Sequence, residues 1–203
     1  MRVLSVLPSK QHLYNVTMDD GQSDMIDKTV WEHSGYRVDS LLSDKEWEAL
    51  CELSQTHRAR ERALYYLSTR DYGSGELQQK LMKVGFARDL AEKTVKRLRD
   101  SGLINDARYA AMLAADMQER KLYPKRRIAM ALREKGFSSQ DIEDALCNLP
   151  DAEEQQALDL LRKKRYKKTS DPAMREKAFG MLGRYGFSYA VSRRAWDLLE
   201  EDL

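Results

Sequence analysis

Three Gly-Phe pairs recur along the chain at nearly constant spacing. Gly85-Phe86, Gly136-Phe137 and Gly186-Phe187 are separated by steps of 51 and 50 residues. The register extends past the glycines. Leu77 and Leu81 before the first pair match Ile128 and Leu132 before the second, then Ala178 and Leu182 before the third. After the pairs, Leu90, Val95 and Leu98 correspond to Ile142, Leu146 and Leu149 (one residue slipped at the first), then to Val191, Trp196 and Leu199. Self-similarity at this period marks a tandem array that binds partners along its length. A unit of about 45–50 residues is marginal alone, because a small domain buries too little of its surface.

Each unit reads as three helices. In the first, helices are expected over 57–70, with Ala63, Leu64 and Leu67 inward, then over 75–84 and 88–100. The turn Asp71-Tyr72-Gly73-Ser74 separates the first two, and Gly85 suits the left-handed position after a helix. In the second unit, Asn105 or Asp106 caps a helix running to about Arg120, Pro124 fits a helix start, and Ser138 through Asp141 caps the third helix. The last unit has a helix over 151–165, a basic loop over 166–170, a second helix starting at Pro172 and a third capped by Ser188. Phe86, Phe137 and Phe187 are each expected to pack back on the helix they follow.

The N-terminal stretch differs. Arg2 to Leu7, His12 to Met18 and Asp24 to Val30 carry β-branched and apolar residues, with Asp19-Asp20-Gly21 as a hairpin turn. Ser43-Asp44-Lys45-Glu46 is a capping box, followed by Trp47, Leu50 and Leu53 at helical spacing. The fold class is therefore mainly α. Tandem three-helix repeats form an extended, curved array, preceded by a small β-rich N-terminal module. The expected divisions are a β-hairpin module over 1–42, a capping helix with the first repeat over 43–100, a second repeat over 101–150 and a third over 151–203.

Two stretches carry a family resemblance. One is Arg70-Asp71-Tyr72-Gly73-Ser74-Gly75-Glu76-Leu77-Gln78-Gln79-Lys80-Leu81, continuing to Gly85-Phe86. The other is Gly102-Leu103-Ile104-Asn105-Asp106-Ala107-Arg108-Tyr109-Ala110. They resemble the motifs of the RecX family, bacterial regulators of the RecA recombinase. The first has one extra turn residue. Arg120 to Phe137 continues in family order, with Pro124 where the family usually has Gly and Ala131 where it usually has Glu. Tyr14 to Gly21 is similar to the β-module found ahead of the repeats in many members. The resemblance implies a regulator that binds the RecA-type recombinase filament on DNA. It also implies restraint of ATP hydrolysis, strand exchange and co-protease activity in recombination and the SOS response. Several weak contacts along a filament would add as avidity.

Charge suggests where contact is made. The chain has a formal net charge of only +2, yet residues 162–194 carry 11 basic and 2 acidic side chains. The flanking stretches 151–159 and 197–202 are acidic, and residues 1–50 carry 5 basic and 9 acidic groups. A local excess of this size attracts a polyanion. The candidate filament or DNA contacts are Arg162, Lys163, Lys164, Arg165, Lys167 and Lys168, with a second patch at Lys125, Arg126 and Arg127 beside Lys121. Tyr166 could add stacking, whereas Arg58, Arg60 and Arg62 read as a solvated helix face.

Other chemistries lack their residues. No Gly-rich phosphate loop with a Lys-Ser/Thr ending occurs, and no nucleophile signature with a His partner. Glu76 and Asp106 sit where carboxylates suit helix dipoles. Cys51 and Cys147 lie far apart, and His12, His33 and His57 are scattered. The chain is thus expected to be non-enzymatic, without metal or cofactor, monomeric and reduced in the cytoplasm. No apolar run approaches the roughly 18–20 residues of a membrane span, and no signal-peptide pattern opens the sequence. Two alternatives remain at this level: an autonomous helical DNA-binding protein, or a helical scaffold for another partner.

Overall fold

The computed structural model describes residues 1–10 and 12–199. The final positions of the expected third repeat, and of the acidic run 197–202, lie outside the described residues. The chain forms two compact units, one of residues 1–72 with 77–103, the other of 73–76 with the chain from 104 onward.

The first unit opens with an antiparallel sheet of β1 (Val3–Pro8), β2 (Leu13–Met18) and β3 (Ser23–Asp27), in that spatial order. The hairpin expected at Asp19-Asp20-Gly21 joins β2 to β3. Gly21 takes φ +88°, and Asp20 accepts a hydrogen bond from the Gln22 amide at 3.0 Å. The third apolar stretch stops being a strand at Asp27. There the carboxylate accepts from the Thr29 and Val30 amides at 2.9 and 3.3 Å and starts α1 (Lys28–Ser34). Residues expected to finish a strand, Lys28 to Val30, are therefore helical. Val30 and Trp31 turn inward onto Val3, Val16, Met18 and Ile26, and Trp47 and Leu50 close the same core.

The capping box at Ser43 is present in full. Ser43 Oγ accepts from the Glu46 amide, and Glu46 accepts from the Ser43 amide at 2.7 Å. It starts α2 (Asp44–Thr69), a single helix of 26 residues. The helix expected at the capping box and the one expected over 57–70 are thus continuous. No Gly or Pro interrupts the segment. Buried Ser54 is held in place by accepting the Asp27 amide at 2.8 Å. The helices α3 (Ser74–Lys83) and α4 (Arg88–Asp100) follow, with Leu77, Leu81, Ala91, Val95 and Leu98 buried.

The second unit holds α5 (Asp106–Glu119), α6 (Lys125–Glu134) and α7 (Ser139–Cys147), then α8 (Glu153–Lys163), α9 (Pro172–Tyr185) and α10 (Tyr189–Asp197). Asn105 caps α5, Ser138 caps α7 and Ser188 caps α10, each accepting from the amide three residues on. Pro172 is the first residue of α9 with Asp171 as its cap, whereas Pro124 is itself the cap residue of α6. Ile128 and Leu132 are fully buried in one core and Ala178 and Leu182 in the other. Each such Leu or Ile stabilises by about 1.5–3 kcal/mol.

The three Gly-Phe pairs make one motif three times. Gly85, Gly136 and Gly186 take φ of +101°, +84° and +101°, the left-handed region that glycine enters without a Cβ penalty. Their amides donate to Met82, Arg133 and Gly183, and the following Phe amides donate to Leu81, Leu132 and Leu182. This is a Schellman cap in each repeat. Phe137 and Phe187 are buried, but Phe86 is only half-buried and lines a cleft with Val84 and Tyr65.

Candidate nucleic-acid interface

Residues 162–168 are shaped by the end of α8. Lys164 is the cap residue and Arg165 follows at φ +59°. Arg165 donates its amide to Arg162 at 2.9 Å, and Tyr166 donates to Leu161 at 3.0 Å. These are the bonds of the Gly-Phe caps, with Arg standing where Gly should be and Tyr where Phe should be. A side chain in the left-handed region costs about 1–3 kcal/mol. Tyr166 packs, half-buried, against the core around Leu161 and Leu182, so its ring serves the fold. It is not a free stacking surface.

The cations fan out around this cap. Lys163, Lys164, Arg165 and Lys167 are exposed and Lys168 is half-buried, its Nζ reaching the Asp197 carbonyl at 3.4 Å. Arg162 lies 4.0 Å from Asp159 with both side chains about half exposed, a pairing that surface screening leaves weak. The loop and the first turns of α9 enclose a cleft of about 570 Å³, to which Met174 and Lys177 add their side chains. The arrangement concentrates positive charge around a groove, which suits phosphate neutralisation.

The second patch is arranged differently. The Arg127 guanidinium lies 3.9 Å from the Tyr123 ring centre and 4.9 Å from that of Tyr185. Its Nη1 donates to the Arg184 carbonyl at 3.4 Å. A Cβ on Gly186 would meet Arg127 Cβ at 3.3 Å and buried Pro124 at 3.4 Å. Arg127 thus pins the start of α6 to the end of α9. The Lys125 amide donates to Glu153 at 3.2 Å, Lys121 lies 5.9 Å from the Tyr123 ring centre, and Arg126 is exposed. The structure keeps Arg126 near this surface as an outward cation but builds Arg127 into the packing. In the first unit Arg58 reaches the Met25 carbonyl and Arg60 pairs with Glu61, as a solvated helix face would.

The two motif stretches meet within the second unit. Asp106 accepts from the Ser74 amide at 2.7 Å and from the Ser74 hydroxyl at 2.5 Å, satisfying the open end of α3. A Cβ on Gly73 would meet the Phe137 ring at 3.0 Å, and one on Gly75 would meet the Gly136 backbone at 3.0 Å. The motif builds a joint. In the first unit, Arg70 lies 3.7 Å from the Tyr72 ring centre, with Lys80 at 5.5 Å.

Groups with the residue types of a reactive site do not form one. Asp27, Ser54 and His57 cluster, but buried Ser54 Oγ accepts from the Asp27 backbone and His57 Nδ1 lies 3.3 Å from the Asp27 carboxylate. Burial pushes the Cys51 thiol up to about 12, helped by the nearby Asp24 carboxylate, so it stays protonated at neutral pH. Among the described residues no group of three or more His, Cys, Asp or Glu could hold a metal ion, and no helix is long and apolar enough to cross a membrane.

Comparison with known proteins agrees with this construction. Residues 59–98 match the model of the RecX first three-helix domain, and residues 105–146 match that of the second. Regulatory protein RecX of Streptococcus pneumoniae serotype 19F (strain G54) is 25% identical over 202 residues, covering 98% of this chain and 78% of the relative. The same-named protein of S. pneumoniae (strain JJA) is 24% identical over 201 residues, with the same coverage. A crystal structure of regulatory protein RecX superposes with a TM-score of 0.70 at 26% identity, over 97% of this chain and 98% of the other. RecX from Lactobacillus salivarius gives a TM-score of 0.62 at 26% identity, over 71% and 98%. With both three-helix domains matched in order and the fold shared along nearly the whole chain, this protein belongs to the RecX family.

Proposed function

We propose that this chain binds the filament of a RecA-type recombinase on DNA and restrains its ATPase, strand-exchange and co-protease activities. The observation that carries the reading is the ordered pair of RecX three-helix domains over 59–98 and 105–146 in a chain whose relatives are named regulatory proteins. The modules proposed to act in this way are the β-hairpin module over 1–42, the capping helix with repeat over 43–100, and the repeats over 101–150 and 151–203. Weak contacts from successive repeats add by raising the effective concentration of the next.

Contact with DNA in the filament falls to the third repeat. Lys163, Lys164, Arg165 and Lys167 supply exposed charge there, with Arg162 and Lys168 at the edges and Arg126 as an outlying contribution. The chain acts as a monomer in the cytoplasm and catalyses no reaction itself. Titration of the host's recombinase with this protein should lower DNA-stimulated ATP hydrolysis at substoichiometric to stoichiometric ratios. Unchanged hydrolysis with filament binding verified would overturn the reading.

A further inference from the structure

A second cleft of about 1020 Å³ adjoins the basic one and shares Lys168, Thr169 and Asp171 with it. Its wall is aromatic. Tyr189 stands edge-on to Phe179 with ring centres 5.4 Å apart, and Phe179 stands edge-on to Trp196 at 6.2 Å. Trp196 is buried, whereas Tyr189 is 70% exposed. The Arg175 guanidinium lies 5.1 Å from the Phe179 ring centre, at the same opening.

The three-helix unit does not require this wall. Counting from the Gly-Phe pairs, the place of Tyr189 is held by Ser139 in the second repeat and Arg88 in the first. The place of Phe179 is held by Ala129 and Gln78. Both earlier repeats cap and pack their helices without an aromatic at either position. A ring left 70% exposed also returns little apolar burial to folding. Rings and cations occur together here, next to the carboxylates of Asp171, Glu176 and Asp197 and within or beside the stretch 162–194 that carries 11 basic and 2 acidic side chains.

Single-stranded nucleic acid needs that pairing. Cations track its backbone, and unstacked bases lie on aromatic faces. A duplex keeps its bases stacked on one another and presents no free face to Tyr189. We propose that the third repeat binds single-stranded nucleic acid in this double cleft, with a base stacked on Tyr189 and the flanking phosphates on Arg175 and the Lys164–Lys167 loop. The proposal rests on the reading of that loop as a DNA contact and adds the preference for unpaired bases.

Fluorescence anisotropy with the full chain tests it, using labelled oligo(dT), an abasic oligomer of equal length and a duplex. Wild-type protein should favour oligo(dT) over both others. Tyr189→Ala should weaken oligo(dT) binding by roughly 5- to 100-fold, leave the abasic oligomer's affinity unchanged and keep the melting temperature. Tyr189→Phe should restore binding. Equal affinity of wild type for oligo(dT) and the abasic oligomer, or wild-type oligo(dT) affinity in Tyr189→Ala, overturns the base site. If Lys164→Ala with Lys167→Ala still weakens binding in that case, the backbone contact stands without it. If neither substitution changes binding, both fall.

Discussion

The second and third repeats carry comparable basic clusters on related three-helix scaffolds but place them differently. In the second, Arg127 lies between the Tyr123 and Tyr185 rings and hydrogen-bonds a carbonyl. In the third, Lys163, Lys164 and Arg165 are exposed around a left-handed turn. A guanidinium held over aromatic faces belongs to the fold, and an ammonium in water is available to a polyanion. Charge counted along a sequence therefore overstates the binding surface wherever an arginine has rings to rest on.

The difference can be broken by substitution. Replacing Lys163, Lys164, Lys167 and Lys168 with Ala should give the largest effect, weakening filament binding by 10-fold or more. It should also reduce the salt slope by about 2–3 counterions, as read from anisotropy between low and moderate salt. Arg127→Ala should behave in the opposite manner. It should lower stability by about 1–2 kcal/mol in denaturant unfolding and leave the salt slope intact. If Arg127→Ala flattens the slope as the lysine variant does, the contrast between the repeats fails.

Arg165→Gly separates the two roles at a single position. It relieves the left-handed side chain, so it should raise stability by about 1 kcal/mol while modestly weakening binding. A variant destabilised by this change would show that the cap is not strained. The smallest effect is expected far from either patch. The Glu46 carboxyl is held below its ordinary value by the Ser43 hydroxyl, then by the Ser43 amide. Its stabilisation is complete above the unfolded glutamate pKa and fades as pH falls through the lowered folded value. Ser43→Ala should therefore lower Tm by about 2–4 °C at pH 7, with a smaller gap from wild type at pH 3.

Most of the helical scaffold was legible because its punctuation is local. Ser43, Asn105, Ser138, Ser188 and Pro172 sit at helix starts, and the Gly-Phe pairs end helices by bonds within a single turn. α1 was harder to see, since Lys28 to Val30 continues a strand-like composition. The available signal was Asp27, a good cap, with Gly35 at φ +74° closing the helix eight residues later. The continuity of α2 had its signal in the lack of Gly and Pro over 44–69, while buried Ser54 finds its partner only in a backbone amide 27 residues away. At the basic surfaces, composition located the cations but not their partners. Tyr123 stands four residues before Arg127 in the sequence, whereas Tyr185 arrives only through folding. The left-handed Arg165 had no sequence signal, because Arg occupies the position where glycine announces a cap.

The close approach of Gly75 to Gly136 has a consequence for which substitutions this chain can accept. Two segments of the main chain meet there with no room for a side-chain carbon. Such a joint has no chemistry to tune and responds only to bulk. Drift on the surrounding faces leaves it unaltered, while a single added methyl at either residue would pry it open. Side chains on the outer faces of the repeats can thus be exchanged without touching this seam, whereas the seam itself tolerates no added carbon.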